Sequence, residues 1–390
     1  MPLDTWLTET FHLTVPVVGA PMAGPGEGSL AAAVSAAGGL GMVGVNASRS
    51  AGWVREQAAT AAASGAAYGV GLMAWALERD TAQLEAVLEL RPALVSVSFG
   101  RFEPYVERLG DAGIRAAVQA GNVEEALRAE RAGADLVVAR GGEGGGHGRD
   151  EVATLPLLQA VLDRVGVPVV AAGGIGSARG LAAVLAAGAV GAWVGTALLT
   201  TVEAGNSGAA RRRLLAAGET ATSYGRVFDV AQRLGWPPEY GGRGLRNAYF
   251  DRWRDRLEEL AHDDEAAAEL TSARKNEDFD TAYLYAGQGV GLLTEERTVA
   301  DVLAGLSRAE ELRRRFGSGP GQAWSGGKPP VATGPQRSTV IRMSDLFWVR
   351  MASRYSSQSG CSPLMHRKYS TSGSTASGMS STSAAPSTCT

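Results

Sequence analysis

One stretch concentrates residues able to do chemistry. Gly141-Gly142-Glu143-Gly144-Gly145-Gly146-His147-Gly148 follows the apolar run Ala134-Asp135-Leu136-Val137-Val138-Ala139 without a linker. A buried strand running straight into glycines lets the backbone approach a flat ligand closely, since glycine has no Cβ to hold it away. His147 is the polar side chain offered there, and imidazole is the side chain that most readily exchanges protons near neutral pH. The bland alternative is a tight turn carrying a solvated histidine. A second set sits at Ala171-Ala172-Gly173-Gly174-Ile175-Gly176-Ser177 and Val194-Gly195-Thr196. Gly173, Gly174 and Gly195 expose backbone N–H groups, and Thr196 adds a hydroxyl donor. Together with a helix N-terminus, that combination suits a dianionic phosphate.

Smaller polar and irregular groups close other strands. Ala20-Pro21-Met22-Ala23-Gly24 ends the first, Ser96-Val97-Ser98-Phe99-Gly100 the fourth, and Gln119 the fifth. A glutamine finishing an apolar strand either caps a backbone group or meets the heteroatom edge of a ligand, and both readings stand at this level. His12 and His262 read as surface residues, Met22 and Trp75 as core or pocket wall. No HExxH, CxxC or histidine cluster has metal-ligand spacing, so no bound metal is expected. Cys361 and Cys389, the two cysteines, fall in the last thirty residues, so neither serves the body of the chain as a nucleophile.

Eight apolar segments bounded by glycine have to position these groups: Pro16–Met22, Leu40–Val45, Ala67–Ala74, Leu94–Gly100, Arg115–Gly121, Ala134–Ala139, Pro168–Gly173 and Gly191–Leu199. Between them lie Ala/Leu-rich stretches with apolar residues at helical spacing, such as Val123–Ala132, Leu155–Val165 and Ala178–Ala187. The alternation predicts an α/β fold, a (β/α)8 TIM barrel, over an open doubly wound sheet. In such a barrel working groups gather where strands end, with phosphate sites after the seventh and eighth strands. The expected organisation is a barrel over 1–205, a mostly helical insertion over 206–286, a final barrel segment and helix over 287–316, and a low-complexity, disordered tail over 317–390. The aromatic and Arg/Glu-rich residues of the insertion read as packing and solvated faces.

Composition removes several function classes. The chain has 390 residues, 45% of them hydrophobic, and a formal net charge of −3 without a basic block, which argues against nucleic acid or an anionic membrane surface as partner. Its N-terminus lacks the basic and apolar regions of a secretory signal and no run reaches membrane-span length, so a cytoplasmic protein is expected.

With these residues in place, the chain resembles the nitronate monooxygenase family, formerly called 2-nitropropane dioxygenases, from about Pro16 to Phe316. The resemblance rests on Ala20-Pro21-Met22-Ala23, Gly142-Glu143-Gly144-Gly145-Gly146-His147-Gly148, Ala171-Ala172-Gly173-Gly174-Ile175, Trp193-Val194-Gly195-Thr196 and Ala286-Gly287-Gln288-Gly289-Val290-Gly291-Leu292. Inosine monophosphate dehydrogenase shares some of these fragments but needs a loop cysteine that this barrel lacks. The resemblance implies FMN at the barrel mouth, bound by Ala20, Pro21, Met22, Gln119, Gly142, Gly146, Gly173, Gly174, Gly195 and Thr196. It also implies His147 as the catalytic base, and oxidation of nitronates or nitroalkanes by dioxygen to carbonyl compounds and nitrite. Two departures stand out. Gly144 replaces the usual alanine, which is expected to loosen the loop slightly, and Gly69-Val70-Gly71-Leu72 lacks the asparagine that contacts FMN in many members. A flavin-dependent enoyl-ACP reductase using NAD(P)H and a non-catalytic flavin-binding barrel are the alternatives.

Overall fold

The computed structural model describes residues 3–317. The expected eight segments all become parallel strands: β1 (Val17–Gly19), β2 (Gly41–Gly44), β3 (Tyr68–Met73), β4 (Leu94–Ser98), β5 (Ala116–Ala120), β6 (Leu136–Arg140), β8 (Val169–Ala172) and β9 (Gly191–Val194). They form one eight-stranded sheet in the order β1-β9-β8-β6-β5-β4-β3-β2. A parallel bridge between Val18 and Leu40 joins its two ends, so the sheet closes into a (β/α)8 barrel.

Alternation along each strand separates two apolar layers. Val17, Val43, Val70, Val95, Val118, Val137, Val169 and Val194 belong to the layer shared with the helices. Val18, Met42, Leu94, Ala117, Leu136, Val138, Val170 and Trp193 fill the interior, where Leu7 and Phe11 of the helix Trp6–Phe11 join them. The interior is therefore packed solid, and chemistry is confined to the ends of the strands. Helices such as Ala51–Ala62, Val123–Arg131 and Ala178–Ala186 begin at Ser50, Asn122 and Ser177, whose side chains each accept a first-turn N–H.

After β9 the chain leaves the barrel and returns with Val299–Ser307, which packs against the first and seventh barrel helices, Gly28–Ala36 and Ala178–Ala186. The insertion holds the helices Gly208–Leu215, Val227–Ala231, Ala248–Trp253, Leu257–His262 and Asp264–Lys275. It has its own apolar centre around Phe228, Tyr249, Phe250, Trp253 and Leu270. It also carries an antiparallel pair, β10 (Thr222–Gly225) and β11 (Gly241–Leu245), that the sequence reading did not anticipate. β11 pairs in turn with β7 (Gly146–Gly148), the His147 segment. The glycine loop is thus the edge of a second, three-stranded sheet. The expectation of a tail from 317 onward falls, beyond Gly317, outside the described residues. No helix among the described residues is long and apolar enough to cross a membrane.

Candidate active site

Arg140, the last residue of β6, builds the His147 loop from below. Its side chain is buried, and its guanidinium donates to the carbonyls of Gly144 (2.6 Å), Gly146 (3.0 Å) and Arg149 (2.8 Å). Burial pulls its pKa down to about 10, which leaves it a cation at neutral pH. A Cβ at Gly144 would lie 2.7 Å from Arg140 Nε. The glycine in place of alanine therefore makes room for the arginine that ties the loop down, and the expected loosening is corrected: this loop is braced.

More ties come from the insertion and the next barrel helix. Arg243 on β11 donates to Gly142 O (2.6 Å) and to Asp150 Oδ1 (2.6 Å), while Tyr224 on β10 donates to Gly148 O (2.8 Å). Glu143 accepts from the backbone N–H (2.8 Å) and the hydroxyl (2.7 Å) of Thr154. Gly142 is buried with its N–H bonded to Val152 and its carbonyl to Arg243, and Gly146 adopts a φ of 67°.

The ring of His147 sits in an enclosure made almost entirely by the insertion. Its Nε2 lies 2.8 Å from Oδ1 of Asp229, whose side chain is only 2% exposed against 11% for the histidine. Trp236 stacks on the imidazole with centroids 3.7 Å apart and planes 1° from parallel. Tyr285 lies at 5.2 Å from the imidazole and directs its hydroxyl at Asp229 Oδ1 from 3.4 Å. Burial, reinforced by Asp229, pushes the Tyr285 phenol well above its ordinary pKa, so it keeps its proton as a donor. Gly242 faces His147 across the β7/β11 pair, and a Cβ there would come within 2.7 Å of Tyr285 Cε1. Trp236 continues outward to Trp75 and Phe99, each at 5.2 Å, and Phe99 to Tyr240 at 5.5 Å. Tyr240 anchors this aromatic wall through a 2.6 Å bond to the buried Glu125, which also accepts from Arg149 (2.8 Å) and from Gly121 N–H (2.8 Å).

The remaining expected residues lie where strands end. Gln119 on β5 donates to the carbonyl of His147 (3.3 Å), which ties the strand end to the loop. Ala20, Pro21 and Met22 leave β1 and pass over the ends of β2 and β3: a Cβ at Gly44 would lie 2.6 Å from Met22 N, and one at Gly71 would lie 2.4 Å from Pro21 Cγ. Gly71, within the stretch that lacks the asparagine, cannot take a side chain without displacing Pro21. Gly173 and Gly174 have φ of 109° and 69°, and a Cβ at Gly195 would touch Ala20 and Met22 Sδ at 3.4 Å. The N–H groups of Gly174, Gly176 and Gly195 find no acceptor among the described residues. Thr196 Oγ1 accepts from Gly287 N–H at 2.9 Å, which leaves its own proton free to donate. His12 and His262 are exposed, as expected.

Sequence reasoning missed Asp229, Trp236, Tyr240 and Tyr285. Trp236-Pro237-Pro238 was the available signal, an aromatic followed by two residues that stiffen a loop. Asp229 had none, since a single aspartate inside Val227-Phe228-Asp229-Val230-Ala231 looks like any helix residue until its burial is seen.

Fold and site together define a (β/α)8-barrel protein with a carboxylate-paired imidazole and, among the described residues, unpaired backbone donors at the ends of its strands. The chain belongs to the nitronate monooxygenase family, whose match covers residues 53–308. It is 31% identical to a nitronate monooxygenase of Paraburkholderia phytofirmans, over 77% of this chain and 94% of that protein. It is 33% identical to one of Pseudomonas aeruginosa, over 78% of this chain and 98% of that protein. Among solved structures, a nitroalkane oxidase from Streptomyces ansochromogenes superposes with a TM-score of 0.68 at 30% identity, over 80% of this chain and 99% of that one. FabK from Thermotoga maritima gives a TM-score of 0.69 at 27% identity, over 80% and 99%.

Proposed function

We propose that this chain binds FMN at the barrel mouth and oxidises alkyl nitronates, and the parent nitroalkanes, with dioxygen to carbonyl compounds and nitrite. The observation that carries this reading is His147, braced by Arg140, enclosed by Asp229, Trp236 and Tyr285, and set where family members hold their base. The free N–H groups of Gly174, Gly176 and Gly195, with the Thr196 hydroxyl, suit the FMN phosphate. Ala20, Pro21, Met22, Gly173 and Gln119 would line the ring, and Gly142 and Gly146 would shape the loop beside it. FMN when bound supplies the redox chemistry, taking electrons from the nitronate and passing them to dioxygen. His147 removes the α-proton of a neutral nitroalkane. With a substrate that arrives as nitronate it orients the nitro oxygens instead.

A second reading, an enoyl-ACP reductase drawing on NAD(P)H, shares the fold with the enoyl reductase domain of MlnA, which at 15% identity speaks to architecture alone. A carrier protein needs free basic surface near the mouth. Arg149, next to the His147 loop, is tied to Glu125 (2.8 Å) and Glu151 (2.9 Å). The test is His147→Asn. Turnover of neutral nitroalkanes should fall by about 10²-fold or more while pre-formed nitronates are largely spared and flavin content is unchanged. Equal losses on both substrates would make His147 a positioning group, and no loss on either would return it to the loop-residue reading.

A further inference from the structure

The two ring nitrogens of His147 are in unlike surroundings. Nε2 is held at 2.8 Å by Asp229 Oδ1, an oxygen buried at 2% side-chain exposure and contributed from 82 residues away. The same oxygen receives the Tyr285 hydroxyl, which keeps its proton. A carboxylate oxygen already accepting from a phenol offers lone pairs and no proton, so the bond to His147 needs its hydrogen on Nε2. Among the described residues Nδ1 has no hydrogen-bond partner.

We infer that Asp229 is a positioning residue that fixes the Nε2–H tautomer of His147 and leaves Nδ1 as the working base. The inference rests on the proposed reaction only for its kinetic consequence. In that step Nδ1 takes the α-proton of a nitroalkane and the C–H electron pair becomes the C=N bond of the nitronate. Negative charge settles on the nitro oxygens, and the imidazolium carries the abstracted proton on Nδ1 while Asp229 holds its Nε2–H. The proton leaves from Nδ1 to water before the next turnover. Trp236, stacked flat on the imidazole, opposes the out-of-plane rotation that would exchange its nitrogens.

The test uses the full chain labelled with 15N-histidine, whose four histidines are His12, His147, His262 and His366. The His147 signal is assigned by its loss in His147→Asn. At mildly alkaline pH the wild-type spectrum should show His147 protonated at Nε2 and bare at Nδ1. Asp229→Asn presents an amide that can donate to Nε2, so the proton should move to Nδ1, the wrong tautomer for catalysis. A wild-type His147 carrying its proton on Nδ1, or an Asp229→Asn spectrum identical to wild type, overturns the inference. Should Asp229→Asn fail to fold, the wild-type spectrum still decides the tautomer. In kinetics, Asp229→Asn should lower kcat for neutral nitroalkanes by about 10²-fold with little change in KM, and Asp229→Glu should recover part of that loss. An Nε2–H spectrum from an enzyme that does not turn over nitroalkanes would uphold the pairing and remove the reaction reading, so the two fail separately.

Discussion

The brace beneath the His147 loop makes a quantitative prediction through Arg140 and Gly144. Arg140→Ala removes the donor to Gly144 O, Gly146 O and Arg149 O, bonds of 2.6, 3.0 and 2.8 Å. Bonds from a charged donor contribute about 1.5–3 kcal/mol each, so the gross loss is several kcal/mol. Against it stands the relief of a guanidinium whose burial has drawn its pKa to about 10 and whose Nε has no partner. A net destabilisation of about 2–4 kcal/mol is expected. Gly144→Ala in the wild type places a Cβ 2.7 Å from Nε and 3.2 Å from Cζ of Arg140, overpacking that typically destabilises by about 1–3 kcal/mol. Gly144 does not adopt a positive φ, so alanine itself is compatible with the backbone. In the Arg140→Ala background the nearer obstacle is gone and only the Gly141 carbonyl at 3.2 Å remains, so Gly144→Ala should become close to neutral. The double-mutant cycle, read by urea unfolding followed through tryptophan fluorescence, should therefore give a coupling of about 1–3 kcal/mol. A coupling within about 0.5 kcal/mol, or an Arg140→Ala protein as stable as wild type, would refute the brace.

Other sites yield shorter tests. Tyr240→Phe deletes the 2.6 Å bond to Glu125 and should destabilise by about 1–2 kcal/mol, and an unchanged urea midpoint would mean that this bond does not anchor the aromatic wall. Gly242→Val would push a side chain into Tyr285 and toward His147 Nε2, 3.4 Å from the Cβ position, so activity should collapse while circular dichroism stays native. Full activity would show that Tyr285 is dispensable. Gly195→Val fills the space beside Ala20 and Met22 and should lower flavin content at unchanged fold, whereas undiminished flavin would place the phosphate elsewhere.

What was legible in the sequence follows from what kind of signal each element leaves. Barrel strands buried on both faces read as continuous apolar runs such as Leu136-Val137-Val138-Ala139, and all eight could be found that way. The strand β11 hides because Gly241-Gly242-Arg243-Gly244 has neither alternation nor β-branched residues. A Cβ at Gly241 would meet Tyr224 at 2.9 Å and one at Gly244 the Leu284 carbonyl at 2.9 Å, so close packing has stripped the strand of its usual pattern. Arg140 was passed over as the residue after an apolar run, although an arginine entering a glycine loop is well suited to satisfying that loop's carbonyls. Asp229, Trp236 and Tyr285 meet His147 only through the folding of the insertion, a relation carried by long-range packing and absent from any local window.

The central claim concerns where the electrons come from. The purified protein should be yellow with the absorption of bound FMN, and anaerobic addition of propyl nitronate should bleach that absorption while NADH leaves it unchanged within the same time. Bleaching by NADH with none by the nitronate would contradict the account and make the chain a pyridine-nucleotide-dependent reductase on the same barrel.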